Sequence, residues 1–319
     1  MKIVVLDGKA LAADDLNYNE FSKYGEVSFY ENTAPEQVIE RIGNSDVVLT
    51  NKVVISREIM EACPSVRLII VMATGYNVID LDAARDHSIT VTNIPAYSTD
   101  SVAQYVFACI LNYCNRISEH SESVMRGDWI KSDTFSYRVA PLFELAGKTI
   151  GIVGFGAIGK AVAKIAKAFD MNVLIYSRTI YPQFEGANLK FVDLYTLLEN
   201  SDFVSLHCPL TASTQNLISA EQLKKMKPTA MLINSARGPV VNEKDLADAL
   251  KNGTIAAAAL DVLCSEPMSE DCPLKDAPNC VITPHIAWAP LETRQRLMGI
   301  AIKNLESYLN GTPQNTVNI

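Results

Sequence analysis

Short apolar runs alternate with amphipathic stretches along this chain. Segments such as KIVVLDG, RLIIVMAT, TIGIV, AMLINSA and CVITP are rich in Val, Ile, Leu and Ala and are bounded by Gly, Pro, Asn or Ser. Runs this short and this uniformly apolar predict strands of a parallel sheet covered on both faces. Residues 1 to about 98 carry one series (KIVVLDG, EVSFYE, DVVLTN, RLIIVMAT, ITVTNI) with helix-like stretches near 34–43, 56–62 and 80–87, which predicts a small sheet of five parallel strands. A second series (TIGIV, NVLIYS, LKFV, FVSLHC, AMLINSA, AAAALDV, CVITPH) suits a sheet of six or seven. Between them, SVAQYVFACILNYCNRISEHSESVMRG predicts one long interdomain helix, introduced by Ser98, Thr99 and Asp100 as N-cap candidates. Near the end, Leu297, Ile300, Ala301, Leu305 and Leu309 recur at helical spacing before Asn310-Gly311, a stop signal. The expected fold class is α/β, with two doubly wound parallel-sheet domains.

Polar residues at strand ends supply the candidate chemistry, because open α/β sheets bind ligands at the carboxyl ends of their strands. Arg237 follows AMLINSA, Glu266 follows AAAALDVLCS and His285 follows CVITP, so all three are expected at one crevice. Upstream, the strand TIGIV runs into Gly154-Phe155-Gly156-Ala157-Ile158-Gly159 and then an amphipathic helix. This is the strand-turn-helix setting of the dinucleotide fingerprint: Gly154 for the tight turn, Gly156 for backbone approach to a pyrophosphate, Gly159 for helix-strand packing. About twenty residues on, where an NAD-specific site carries an acid, stand Ser177, Arg178 and Thr179. A carboxylate would repel a 2′-phosphate and these residues would bond it, so NADP is expected in preference to NAD.

The GFGAIG turn, HCPL at 207–210, INSARG at 233–238, SEP at 265–267 and PHIAW at 284–288 occur in this order. Together they resemble the D-isomer-specific 2-hydroxyacid dehydrogenase family, and with ATGYN at 73–77 most resemble its glyoxylate and hydroxypyruvate reductase, or glycerate dehydrogenase, branch. The resemblance implies a Rossmann nucleotide-binding domain (100–287) inserted in a discontinuous, flavodoxin-like substrate domain (1–99 and 288–319). It also implies a homodimer, and a catalytic triad of Arg237, Glu266 and His285. Substrate contacts would come from Ala73, Thr74, Gly75, Arg237, His285 and Trp288. Leu206, His207, Cys208, Pro209, Ser235, Ala236 and Asp261 would line the cofactor, with Asp261 near the nicotinamide amide.

Reduction of a 2-keto acid needs a hydride and a proton. His285 suits the proton donor, since an unperturbed imidazole titrates near 6.5. Glu266 would hold one ring orientation, and the planar fork of Arg237 would grip a carboxylate. The Ala73-Thr74-Gly75-Tyr76 turn can give backbone N–H groups to the same anion. His207 is expected beside the cofactor rather than in catalysis, and His87 and His120 are expected in solvent.

Composition narrows the function classes. The net charge of −8 and pI near 5.1, without a basic cluster, leave no electrostatic footprint for nucleic acid or anionic membrane. The start MKIVVLDG reads as a strand, no apolar run reaches the roughly 20 residues needed to span a bilayer, and a cytoplasmic enzyme is expected. Seven scattered cysteines lack CxxC spacing, so neither a disulfide framework nor a metal site is expected. Alternative readings are a dehydrogenase for another 2-hydroxy acid (D-lactate-like or phosphoglycerate) and a dinucleotide-sensing, corepressor-like binding protein.

Overall fold

A computed structural model describes residues 1–12 and 15–318. It divides into two compact units, Met1–Ser98 with Ala289–Ile319, and Thr99–Trp288. In the first, β1 (Lys2–Val5), β2 (Glu26–Phe29), β3 (Val47–Thr50), β4 (Leu68–Val71) and β5 (Thr90–Thr92) form an all-parallel sheet ordered β2-β1-β3-β4-β5. Strands β3 and β4 are buried throughout, which is why they read as continuous apolar runs rather than alternating ones.

The helix Leu291–Leu309 packs on β4 and buries Leu297, Ala301 and Leu305. Polar groups fix it there. Asn304 donates to the Asn93 carbonyl at 2.9 Å. The buried guanidinium of Arg294 grips both carboxylate oxygens of Asp15, at 2.5 and 2.6 Å, and also donates to the Leu11 carbonyl. Val317 N–H donates to Val91 O, and Val91 N–H to Asn318 Oδ1, each at 2.9 Å.

The second unit holds β6 (Thr149–Val153), β7 (Asn172–Tyr176), β8 (Leu189–Phe191), β9 (Phe203–Leu206), β10 (Met231–Asn234), β11 (Ala257–Leu260) and β12 (Cys280–Ile282). They form a seven-stranded parallel sheet in the order β12-β11-β10-β9-β6-β7-β8. Side chains alternate between two apolar layers: Leu232 and Ala258 face one, Ile233 and Ala259 the other. The chain order reverses between β6 and β9, and ligands bind beside such a switch point.

The long helix expected from 98 onward is two helices, Thr99–Asn115 and Ile117–Met125. Arg116 between them adopts a left-handed conformation, φ 48°. The break is stabilised because Phe143 N–H takes the Cys114 carbonyl at 3.2 Å. His120 is also not simply solvated: its Nδ1 bonds the Arg116 carbonyl and its Nε2 accepts from Val139 N–H. Among the described residues no helix is long and apolar enough to cross a membrane.

Candidate active site

The three fingerprint glycines have three separate structural reasons. Gly154 has φ 96°, and a methyl group there would lie 2.7 Å from Cys208 N and His207 C, so the end of β6 meets the chain beyond β9 only without a side chain. A methyl at Gly159 would lie 2.3 Å from Gly154 O, which sets how closely the helix Ala157–Ala168 packs on its strand. At Gly156, the residue before that helix, such a methyl would meet nothing within 4 Å. Open space at a helix N-terminus with uncommitted N–H donors is a cradle for an anion, and it fits a pyrophosphate. Phe155 differs from its neighbours: its ring is buried against Tyr181, Phe184 and Phe191, so only its backbone is left for a nucleotide.

Beyond the carboxyl ends of β11 and β12, His285 and Glu266 form a pair. His285 Nδ1 lies 2.7 Å from Glu266 Oε2, both side chains being about one-third exposed. The other carboxylate oxygen accepts from Leu263 N–H at 3.0 Å, which orients the acid. With a carboxylate on Nδ1, that nitrogen carries the N–H and Nε2 is left to exchange a proton. His285 sits at φ 55°, sparsely populated for a β-carbon-bearing residue and costing about 1–2 kcal/mol, so its surroundings must hold it.

Asp261 does much of that holding. It is buried, and its carboxylate accepts from Ile286 N–H and Ala287 N–H, both at 2.8 Å, and from the Thr283 hydroxyl at 2.6 Å. Tyr105 OH in turn lies 2.6 Å from Thr283 Oγ1. The sequence places Asp261 at a strand end but gives no sign of this brace, because its partners lie more than twenty residues away.

Arg237 stands at the end of the β10 loop, exposed, with one internal bond from Nη1 to the Ala236 carbonyl at 2.7 Å. The buried Asn234 side chain shapes that loop by accepting from Ala236 N–H and donating to the Arg237 carbonyl. Ser235 and Ala236 are half-buried along it. His207 follows β9; its Nε2 pairs with Ser205 Oγ at 2.8 Å, and burial pushes its pKa down to about 4, so it is neutral near pH 7. A neutral ring already bonded at Nε2 suits a lining role. Cys208 beside it is buried, and Pro209 is exposed.

Ser177 is half-buried past β7 and Arg178 and Thr179 are exposed; Arg178 makes no ion pair with any described residue. In the first unit, Ala73, Thr74 and Gly75 follow β4. The Thr74 hydroxyl and carbonyl are tied to Ile94 O and Asn93 Nδ2, whereas no described backbone carbonyl accepts from the N–H groups of Thr74, Gly75 or Tyr76. Trp288 is half-buried at the last position of the second unit. No group of three or more His, Cys, Asp or Glu side chains that could hold a metal ion occurs among the described residues.

A glycine cradle at a helix N-terminus, with an imidazole-carboxylate pair at the carboxyl ends of the same parallel sheet, defines a nucleotide-dependent α/β oxidoreductase. Residues 107–287 match the model of the D-isomer specific 2-hydroxyacid dehydrogenase NAD binding domain. The chain is 46% identical to a hydroxypyruvate reductase of Blautia hydrogenotrophica, with 100% of both chains covered. It is 42% identical to a glycerate dehydrogenase of Methylorubrum extorquens, covering 99% of this chain and 98% of that one. Its structure is similar, at TM-score 0.84 and 27% identity over 99% and 97% of the two chains, to an NADPH-dependent glyoxylate/hydroxypyruvate reductase of Sinorhizobium meliloti in complex with citrate. The chain belongs to the D-isomer specific 2-hydroxyacid dehydrogenase family. It is thus an oxidoreductase acting on CH–OH groups with a nicotinamide dinucleotide.

Proposed function

We propose that the protein reduces small 2-keto acids of the hydroxypyruvate and glyoxylate type, with NADPH preferred over NADH. The observation that carries the reading is the 2.7 Å pair of His285 Nδ1 and Glu266 Oε2, at the carboxyl ends of the same sheet whose β6 leads into the glycine cradle. The nicotinamide nucleotide supplies the hydride. Backbone N–H groups from Gly156 to Gly159 hold its pyrophosphate, and Ala157, Ile158, His207, Cys208, Pro209, Ser235 and Ala236 line it. His285 gives the proton on Nε2 to the keto oxygen, Glu266 stabilises the ring as it changes charge, and Arg237 clamps the substrate carboxylate with its free donors. Ala73, Thr74 and Gly75 offer N–H groups to substrate, and Trp288 offers an apolar face. Asp261 acts by positioning the His285 loop, and any contact with the nicotinamide amide is secondary to that.

NADPH is favoured because Arg178, a cation that forms no ion pair with any described residue, stands with Ser177 and Thr179 where an NAD-specific site carries an acid. The same reading includes a homodimer, supported by the apolar side chains Met125, Ile130 and Phe135, each more than 80% exposed in the second unit. It also includes the cytoplasm, supported by seven unpaired cysteines.

Turnover of hydroxypyruvate and glyoxylate with each cofactor tests the reaction. His285→Ala should lower kcat by about 10²–10⁴-fold while nucleotide affinity stays within about twofold. A loss smaller than tenfold would remove His285 as proton donor.

A further inference from the structure

We propose that Lys160 is a second cationic contact for the 2′-phosphate of NADPH, beside Arg178; this rests on the NADPH reading above. Lys160 lies in the first turn after the glycine fingerprint, its N–H bonded to Gly156 O at 3.0 Å. Its side chain does not run freely into solvent. The ammonium sits 4.3 Å from the ring centroid of Tyr181, 5.4 Å from that of Phe184 and 6.0 Å from that of Phe155. Tyr181 and Phe184 belong to the segment that directly follows Ser177-Arg178-Thr179. The ammonium is therefore held between the turn that cradles the pyrophosphate and the loop past β7, the corner that an adenosine ribose must occupy in this fold.

Ring faces attract a cation without neutralising it, and no described carboxylate forms an ion pair with Lys160. Glu185, the acid of that loop, is turned to Phe191 N–H. Phe155 meets Phe184 edge-on at 5.3 Å, so the rings brace one another and the ammonium is fixed in advance. A fixed, unneutralised cation loses less entropy on meeting a phosphate than a solvated lysine does.

Titration of NADPH, NADH and 2′,5′-ADP, followed by calorimetry, into the wild type and into Lys160→Met, Lys160→Arg and Arg178→Gln tests this. Methionine keeps the apolar stem among the rings and removes the charge. Lys160→Met should weaken NADPH and 2′,5′-ADP by about tenfold or more and leave NADH within about twofold, and Lys160→Arg should retain most of the affinity. Equal weakening of NADPH and NADH in Lys160→Met would make Lys160 a clamp for the loop and overturn the phosphate contact. An unchanged NADPH to NADH ratio there, with a collapse in Arg178→Gln, would overturn Lys160 alone. A wild type that binds NADH as tightly as NADPH would overturn the 2′-phosphate reading itself.

Discussion

Each sheet buries an aspartate just past one strand and uses it to pin the loop past the next. In the five-stranded sheet Asp7, beyond β1, accepts from Asn51, Lys52 and Val53 N–H groups at 2.8, 2.6 and 3.2 Å, beyond the neighbouring β3. In the seven-stranded sheet Asp261, beyond β11, accepts from Ile286 and Ala287 N–H groups beyond the neighbouring β12. The bracing is the same, but the loops differ in what they carry. Asp7 holds Asn51, Lys52 and Val53, with no acid-base pair among them, whereas Asp261 holds the strained backbone of His285. Under the proposed mechanism, a shared device of fold stability becomes a device of catalysis, because the loop that Asp261 pins bears the proposed proton donor.

The largest separation of the two loops should come from removing each brace. Asp261→Asn leaves one accepting oxygen where two are used, so the His285 loop shifts and kcat should fall by about 10²-fold, the scale on which misplacement of a reacting group is felt. Asp7→Asn should leave kcat within about threefold; similar losses in both variants, measured side by side at saturating substrate, would show that the two braces serve the same end. A smaller effect is expected at Arg237, whose loop is shaped by Asn234. Arg237→Lys keeps the charge and loses the fork, so KM for the keto acid should rise about tenfold with nucleotide affinity unchanged, and wild-type KM would place Arg237 outside the site.

The smallest effect concerns acid. Among the described residues, His207, half-buried past β9 in the second unit, is the histidine whose surroundings push its pKa down, to about 4 when folded against near 6.5 when unfolded. Between these values the unfolded chain holds a proton that the folded chain does not, so stability is full above about pH 6.5 and is lost as pH falls toward 4, by up to about 1.4 kcal/mol per unit. His207→Asn should flatten the change in urea midpoint between pH 7 and pH 5. A slope equal to that of the wild type would show that other groups carry the acid sensitivity.

Strands and the glycine turn were legible because their causes are local. Buried parallel strands must be apolar on both sides, as TIGIV and AMLINSA are, and a turn that forbids a Cβ must be glycine. The family motifs also brought His285 and Glu266 together as a pair. What stayed hidden depends on distant partners or on conformations without a residue signature. Arg116 is left-handed although arginine does not announce it, so one helix was expected where two exist. Phe155 reads as part of a cofactor turn, yet its ring is claimed by Phe184 and Phe191, about thirty residues on. Asp261 reads as a group facing ligand, yet its carboxylate is occupied by the loop it holds.

The return of Ala289–Ile319 to the first unit has a consequence for synthesis. As the chain emerges from a ribosome, its first 98 residues have neither the helix that covers β4 nor the guanidinium that grips Asp15, because both lie beyond residue 290. The intervening Thr99–Trp288 unit can close on itself first, since its seven strands and its two apolar layers are all encoded within it. The order of completion therefore runs against the order of translation: the segment made first is finished last, and until then its exposed apolar surface is a hazard for aggregation.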